Sequence, residues 1–297
     1  MKLPRVKWPQ VRFQFDRESR RLWKDLLMSI AALACVVLAL LPLGSILVEA
    51  SIRGLQAISP NFFTLNTGDG GIGNAIQGTL ILVALAAGIA LPVGILTGVY
   101  LSEFGKNRVG SAVRFFVDVM TQIPSIVIGI FAYSLVLELG VAGIVDRRLV
   151  FSTISGVFAL ATIMVPFVAR TSEEALRLVP TSTRESALAL GIPQHRTILR
   201  VVLPSASSGL ITGALLGIAR VAGETAPLIM TAFGSPFSFG GLDHPIESLP
   251  HTIYVFAVSP YAAQNQAAWG ASLILVLLML GISIASRLAI RLRSVSG

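Results

Sequence analysis

An all-α integral membrane protein with six transmembrane helices is the fold class this sequence predicts, and three observations carry it. Only 13% of the 297 residues are charged while 54% are hydrophobic, about half the roughly 25% charge of a soluble globular chain. The mean hydropathy is +0.78, and too few charges remain to coat a soluble fold. Stretches free of Asp, Glu, Lys and Arg recur at 26–48, 70–102, 119–137, 149–169, 201–219, 225–242 and 248–286, and a spanning helix needs about 20 apolar residues. The lysines and arginines between these stretches then fall mostly into alternate connections.

The first stretch makes one helix over 26–48, preceded by a basic tail, residues 1–25. Gly70, Gly71 and Gly73 make the start of the second loop-like, so its helix is expected near 75–100. The third and fourth give helices near 114–139 and 150–170. Only Arg220 to Glu224 separates the fifth from the sixth, which predicts one helix near 205–232 carrying two charges. The last opens in a Pro- and Gln-containing segment and yields a helix near 267–290. With the N-terminus inside, nineteen Lys and Arg lie in internal segments and three, Arg53, Arg147 and Arg148, in external ones. Positive residues mark the cytoplasmic side, so both termini are expected there, with Thr171 to Leu203 as a cytoplasmic loop.

That asymmetry also accounts for the net charge of +8 and leaves little for a nucleic-acid function to explain. The lone Cys35 excludes an intrachain disulfide or a Cys-based metal site. A cleaved signal peptide is not expected, since the first apolar stretch exceeds the usual length and no A-x-A site follows. His195, His244 and His251 show no metal-ligand spacing, and no Walker-type phosphate loop or placed nucleophile and base is present. An integral membrane enzyme is disfavoured, and the chain needs an energy source from a partner.

The loop between the fourth and fifth spans is too polar for a mere connector. Ser182 with Glu185 fits an S-x-x-E capping box, and Gly191 and Pro193 suit a stop. A helix of about eight residues presenting Ala187 and Ala189 is expected, small side chains that let another surface approach. Glu185-Ser186-Ala187, Gly191 and, after nine residues, Val201-Val202-Leu203-Pro204 resemble the EAA loop of binding-protein-dependent ABC-importer permeases (E-A-A-x3-G-x9-I-x-L-P), with Ser186 and Val201 as mild departures. Pro124 to Gly129, Val165 to Glu173, Leu178-Val179-Pro180 and Ala219 to Leu228 look like the phosphate-importing branch, as do Tyr100 to Phe104 and Ile246 to Pro260. The similarity covers roughly residues 70–290.

The resemblance implies a MetI-like permease fold and a heterodimer with a sister permease. It also implies two cytoplasmic ATPase subunits that bind ATP and Mg, and an external phosphate-binding protein. No cofactor of its own is implied. Glu185, Ala187, Gly191, Leu203 and Pro204 would form the ATPase coupling element. Arg170 is either an ordinary positive-inside anchor or, as the resemblance suggests, an exit-side anion contact with Glu173 as its partner. Thr225 joins the substrate-path candidates through its place in the Gly223-Glu224-Thr225-Ala226-Pro227 segment. The alternative is the same kind of importer for another oxyanion, molybdate or sulfate, against which the Gly223-Glu224-Thr225-Ala226-Pro227 segment argues. An ion-coupled secondary transporter would not need the loop.

The residues alone single out the fifth span. Gly209, Gly213, Gly217, Arg220 and Glu224 share one helical stripe, and small residues four apart permit close packing in lipid. A charge at the bilayer centre costs about 2.5–3.5 kcal/mol on insertion scales, so Arg220 and Glu224 must face protein or a wet cavity. Two roles are open: a self-contained i,i+4 ion pair, or a way-station where the planar guanidinium binds phosphate oxygens. Pro227 removes the helical partner of the Gly223 carbonyl and predicts a kink there.

Overall fold

The computed structural model describes residues 17–295, with side chains for residue 21 and residues 23–284. The expected basic tail falls outside the described residues up to Asp16, as do the side chains of Arg287, Arg291 and Arg293. Contacts divide the chain into two units, Met1–Glu49 and Ala50–Gly297. The described part of the first belongs to helix α1 (Arg17–Ala57), whose spanning portion, Trp23–Ala57, runs past Glu49 and Arg53, further than the 26–48 expected.

In the second unit, α2 (Pro60–Thr64) leads to α3 (Gly73–Val99), which continues without a break into a π turn, Tyr100–Phe104. After α4 (Arg108–Gln122) and α5 (Ser125–Val141) comes the long α6 (Thr153–Arg177). The short α7 (Thr181–Ala189) and α8 (Gln194–Thr197) follow, then a second π turn, Ile198–Val202, and α9 (Leu203–Ala222). The remaining helices are α10 (Ala226–Met230), α11 (Leu249–Ala257) and α12 (Ala262–Val295). Among the described residues five helices have the length and apolarity to cross a membrane, or six if α4 and α5 count as one broken span. Because α6 reaches Arg177, the connector expected from Thr171 starts seven residues later, at Leu178.

Two of the expected spans are not single helices. Between α4 and α5 the axis turns by 105°, where a continuous helix over 114–139 was expected. Ile123 precedes Pro124 and is therefore driven to extended backbone (φ −67°, ψ 129°), so α4 cannot continue. The expected 205–232 helix stops at Ala222, and Gly223 to Thr225 separate it from α10.

Stripes of small residues set the packing. Ala86, Ala90, Gly94 and Gly98 of α3 are buried, and a Cβ on Gly98 would lie 2.5 Å from the Ser172 Cβ of α6. From the other side, Gly209, Gly213 and Gly217 of α9 meet Ala175, Thr171 and Val168 of α6. Thus α6 lies between two helices that approach to backbone distance. Leu82, Leu160, Met164, Val168 and Val221 fill the core these three share.

The second π turn has a direct cause. Pro204 lacks an N–H and would clash with the carbonyl of residue 200 in a regular helix. The Ile198–Val202 π turn, in which Leu203 N–H donates to the Ile198 carbonyl, absorbs the misfit and keeps the helix continuous. At the end of the unit away from α7, residues 231–246 lie over the start of α6: Thr153 N–H donates to the His244 carbonyl at 2.9 Å and Ser152 N–H to the Thr231 carbonyl at 3.1 Å. On that loop the neighbouring His244 imidazole, hydrogen-bonded to Asp243, holds the Asp243 carboxyl below its ordinary range.

Candidate functional site

Arg220 occupies the last turn of α9, not mid-helix as the 205–232 span had placed it. The α9 glycines face α6, which leaves the Arg220 guanidinium 5.7 Å from the Phe167 ring centroid, a cation–π arrangement. Its Nε stands 3.8 Å from Glu224 Oε1, with side-chain exposures of 43% and 17%. That separation is too long for a hydrogen bond. The pair is loose, and the guanidinium fork keeps its donors for another acceptor.

The break beside it has one structural cause more than the other. Gly223 adopts φ −97°, ψ −1°, which any residue tolerates, and a Cβ there would meet nothing closer than 3.8 Å. Pro227 carries the interruption: it lies in the first turn of α10, buried, with half-buried Thr225 as the preceding cap residue.

Arg170 lies one turn beyond Phe167 on α6, so both arginines stand along one side of that helix. Its Nε donates to Glu174 Oε1 at 2.9 Å and its NH1 lies 3.4 Å from Asp118 Oδ1. The expected partner Glu173 instead faces α4: buried, its Oε1 accepts from Arg114 Nε at 2.6 Å and forms an ion pair with Arg177 Nη2, also at 2.6 Å. Glu174, at i,i+4, is the residue that shares a face with Arg170. The result is a face with two half-exposed arginines, each held by exposed or loosely placed carboxylates. An incoming dianion can displace such carboxylates at little cost, since exposed ion pairs contribute about 1 kcal/mol or less.

The loop after α6 holds the predicted short helix, α7, with altered details. It begins at Thr181 directly after Pro180, so Ser182 lies inside the first turn and no side chain caps the end. Gly191 takes φ +77° just past the helix, the left-handed position glycine favours. Ala187 is 5% exposed: it is a small residue for seating α7 on its own chain, not for presentation outward. Glu185, Ser186 and Ala189 face solvent, and so do Leu178, Leu188, Leu190 and Leu199 at 84%, 48%, 80% and 62%. Leu203 is half-buried and Pro204 exposed, at the start of α9. Exposed leucines on a polar loop mark a surface that another protein covers.

Sequence reasoning missed one cluster at this end. Arg184 of α7 donates from Nε and NH2 to Glu103 in the first π turn, the latter at 2.8 Å, and also to the Leu176 and Val179 carbonyls at the end of α6. Arg114 of α4 donates to the Leu101 carbonyl at 2.6 Å and the Gly105 carbonyl at 2.8 Å as well as to Glu173. Two arginines thus grip one π turn and one helix end. The Tyr100 to Phe104 segment carries part of the family resemblance, and a glutamate at a helix end beside a positive loop is the signal the sequence offers.

Five apolar spans, a broken one and a small helix in a basic loop define a membrane permease of the importer type. Residues 90–293 match the family described as binding-protein-dependent transport system inner membrane component, to which the chain belongs. Within it, the chain is a member of the PstA family of phosphate transport system permeases: it is 39% identical over 281 residues to PstA of Yersinia pestis, covering 92% of each chain. It is 42% identical to PstA of Xylella fastidiosa over 79% of this chain and 81% of that one. A probable PstA of Methanocaldococcus jannaschii is 37% identical over 91% and 95%.

Solved structures that share the fold include two ABC transporters. A bacterial alginate ABC transporter chain aligns with TM-score 0.66 at 17% identity, over 91% of this chain and 96% of that one. A chain of the MetNI methionine ABC transporter aligns with TM-score 0.57 at 21% identity, over 79% and 98%.

Proposed function

We propose that the chain is the membrane-spanning permease subunit of an ATP-driven importer of inorganic phosphate. The observation that carries this is the match to phosphate permeases over nearly the whole chain. The loose Arg220–Glu224 pair supplies a chemistry that suits the substrate: a half-exposed planar fork for phosphate oxygens. Glu224 accepts the hydrogen that HPO4²⁻ still carries, which sulfate lacks.

The loop carrying α7 faces the cytoplasm together with both termini, because the basic residues cluster on that side. The protein resides in the plasma (inner) membrane. It pairs with a sister permease of the PstC-like kind, and the faces bearing Arg170, Thr225 and Arg220 line the path. Two PstB-like ATPases hold ATP and Mg and seat the surface formed by Glu185, Ser186, Leu188, Leu190 and Gly191. A PstS-like binding protein delivers phosphate to residues 231–266 on the other side. The chain contributes no hydrolytic chemistry.

Reconstitution of the four kinds of subunit in vesicles tests this. ATP-dependent phosphate uptake is expected, with sulfate and molybdate failing to compete. Uptake of either of those in preference to phosphate, or uptake without the ATPase, contradicts the proposal.

A further inference from the structure

The first spanning helix of the second unit is tied at one end to α7 and at the other to the segment that leads into α11. α3 and its π turn form one 32-residue helix, Gly73–Phe104, about 48 Å long at 1.5 Å per residue. At the basic end its Glu103 is held by Arg184 of α7, and both side chains are largely buried, at 8% and 19% exposure. At the far end, buried Thr79 Oγ1 accepts from Leu249 N–H at 2.8 Å. Asn74, also buried, donates to the Ser235 and Phe237 carbonyls at 2.9 and 3.2 Å and accepts from Thr67 N–H at 2.9 Å.

The loop so held is under conformational constraint. Phe233, at its start, takes φ +64°, a left-handed backbone that a bulky residue adopts only where its surroundings impose it. Its ring centroid lies 4.7 Å from that of Phe151, with the ring planes inclined by 44°. Between the two ends α3 has no slack against α6, because Gly94 and Gly98 bring the backbones together.

From this geometry we infer that Arg184 is a positioning residue that couples α7 to α3, and that α3 works as a rod carrying the displacement of α7 to the 233–249 loop. The inference rests on α7 being the ATPase-docking helix. The Arg184 fork binds the end of α3 and the last carbonyls of α6 at once. α7 therefore does not shift without pulling on both. A lysine in its place keeps one charge contact and loses the fork. The pull arrives 81 residues away in sequence but within one hydrogen bond in space. At the opposite end, Thr79 and Asn74 transfer the same displacement to the loop through main-chain groups.

The test is the number of phosphates accumulated per ATP hydrolysed by the reconstituted complex. Arg184→Gln and Glu103→Gln are expected to keep the ATPase bound and hydrolysing while that ratio falls at least about fivefold, the lower edge of usual coupling factors. The double variant leaves no buried charge unpaired, and its ratio is expected to stay low although assembly is normal. Thr79→Val, nearly isosteric and at the far end of the rod, is expected to lower the ratio too. A wild-type ratio in the double variant reduces the pair to a packing device and overturns the inference, and so does a wild-type ratio in Thr79→Val. Failure of the docking assignment is read separately, as an ATPase that stays bound when Leu190 is changed to Asp.

Discussion

Gly129 of α5 lies against Pro227 of α10 so closely that a Cβ on residue 129 would stand 2.6 Å from the proline Cα. Both residues flank a break: Pro124, five residues before Gly129, ends α4, and Pro227 opens α10 after Arg220 and Glu224. The broken span and the charged segment therefore lean on each other, backbone to backbone, and α10 takes its position from α5.

Gly129→Val is expected to force that contact apart. Overpacking of a tight site costs about 1–3 kcal/mol, and here the atom met belongs to backbone. A lowered thermal midpoint of the purified complex, with loss of uptake, is the expected result. Wild-type melting and uptake would mean that α5 and α10 separate freely.

Leu190→Asp tests the docking surface. Leu190 is 80% exposed, so the change leaves the fold intact and acts only on what covers it. Co-purification of the ATPase should weaken by about tenfold or more, the effect of about 1.4 kcal/mol. Ala187→Asp acts differently, since it buries a charge beneath α7 and lowers stability as well. Full ATPase retention by Leu190→Asp would remove this loop from the interface.

The two neighbouring glutamates of α6 should behave unalike. Glu173, with a side chain 2% exposed, receives Arg114 and Arg177, and Glu173→Gln leaves them without a counter-charge at a cost of about 3 kcal/mol. Glu174, at 60% exposure, faces Arg170, and Glu174→Gln should cost about 1 kcal/mol or less. Thermal denaturation of the two variants checks this, and equal losses would contradict the assigned burial.

Orientation is checked by impermeant thiol labelling in a Cys35→Ala background. Lys106, Arg148 and His195 are all exposed. Lys106→Cys and His195→Cys should label from the cytoplasm, Arg148→Cys from outside. Labelling of His195→Cys and Arg148→Cys from one side would reject the topology.

The spans were legible because burial in lipid writes itself as uncharged stretches, and the α9 glycine stripe because helical spacing places Gly209, Gly213 and Gly217 on one face. Pro124 and Pro227 were equally visible, yet hydropathy runs straight through a proline, so the breaks they cause were drawn as one helix and a kink. The Ser182-Glu185 pattern matched a capping box, but Pro180 starts the helix earlier and moves Ser182 inside it. Ala187 looked presentable because a small residue serves outward docking and inward seating alike. The Glu103–Arg184 contact joins residues 81 apart, and no periodicity or spacing records such a meeting. Arg170 found Glu174 and Asp118 rather than Glu173 because α4 supplies Arg114, which sequence order alone does not bring near.

The central claim is that Arg220 contacts phosphate, and uptake by the Arg220→Gln, Glu224→Gln double variant tests it most directly. The single change Arg220→Gln replaces a charge-assisted fork by a neutral amide and should abolish uptake while the complex still assembles. Lysine at 220 keeps charge without the planar fork and should retain a fraction at best. In the double variant no unpaired charge remains to disturb folding, so assembly should be normal and ATP-driven phosphate uptake should still be lost. Near-wild-type uptake by that double variant would contradict the account and leave Arg220 and Glu224 as a structural ion pair.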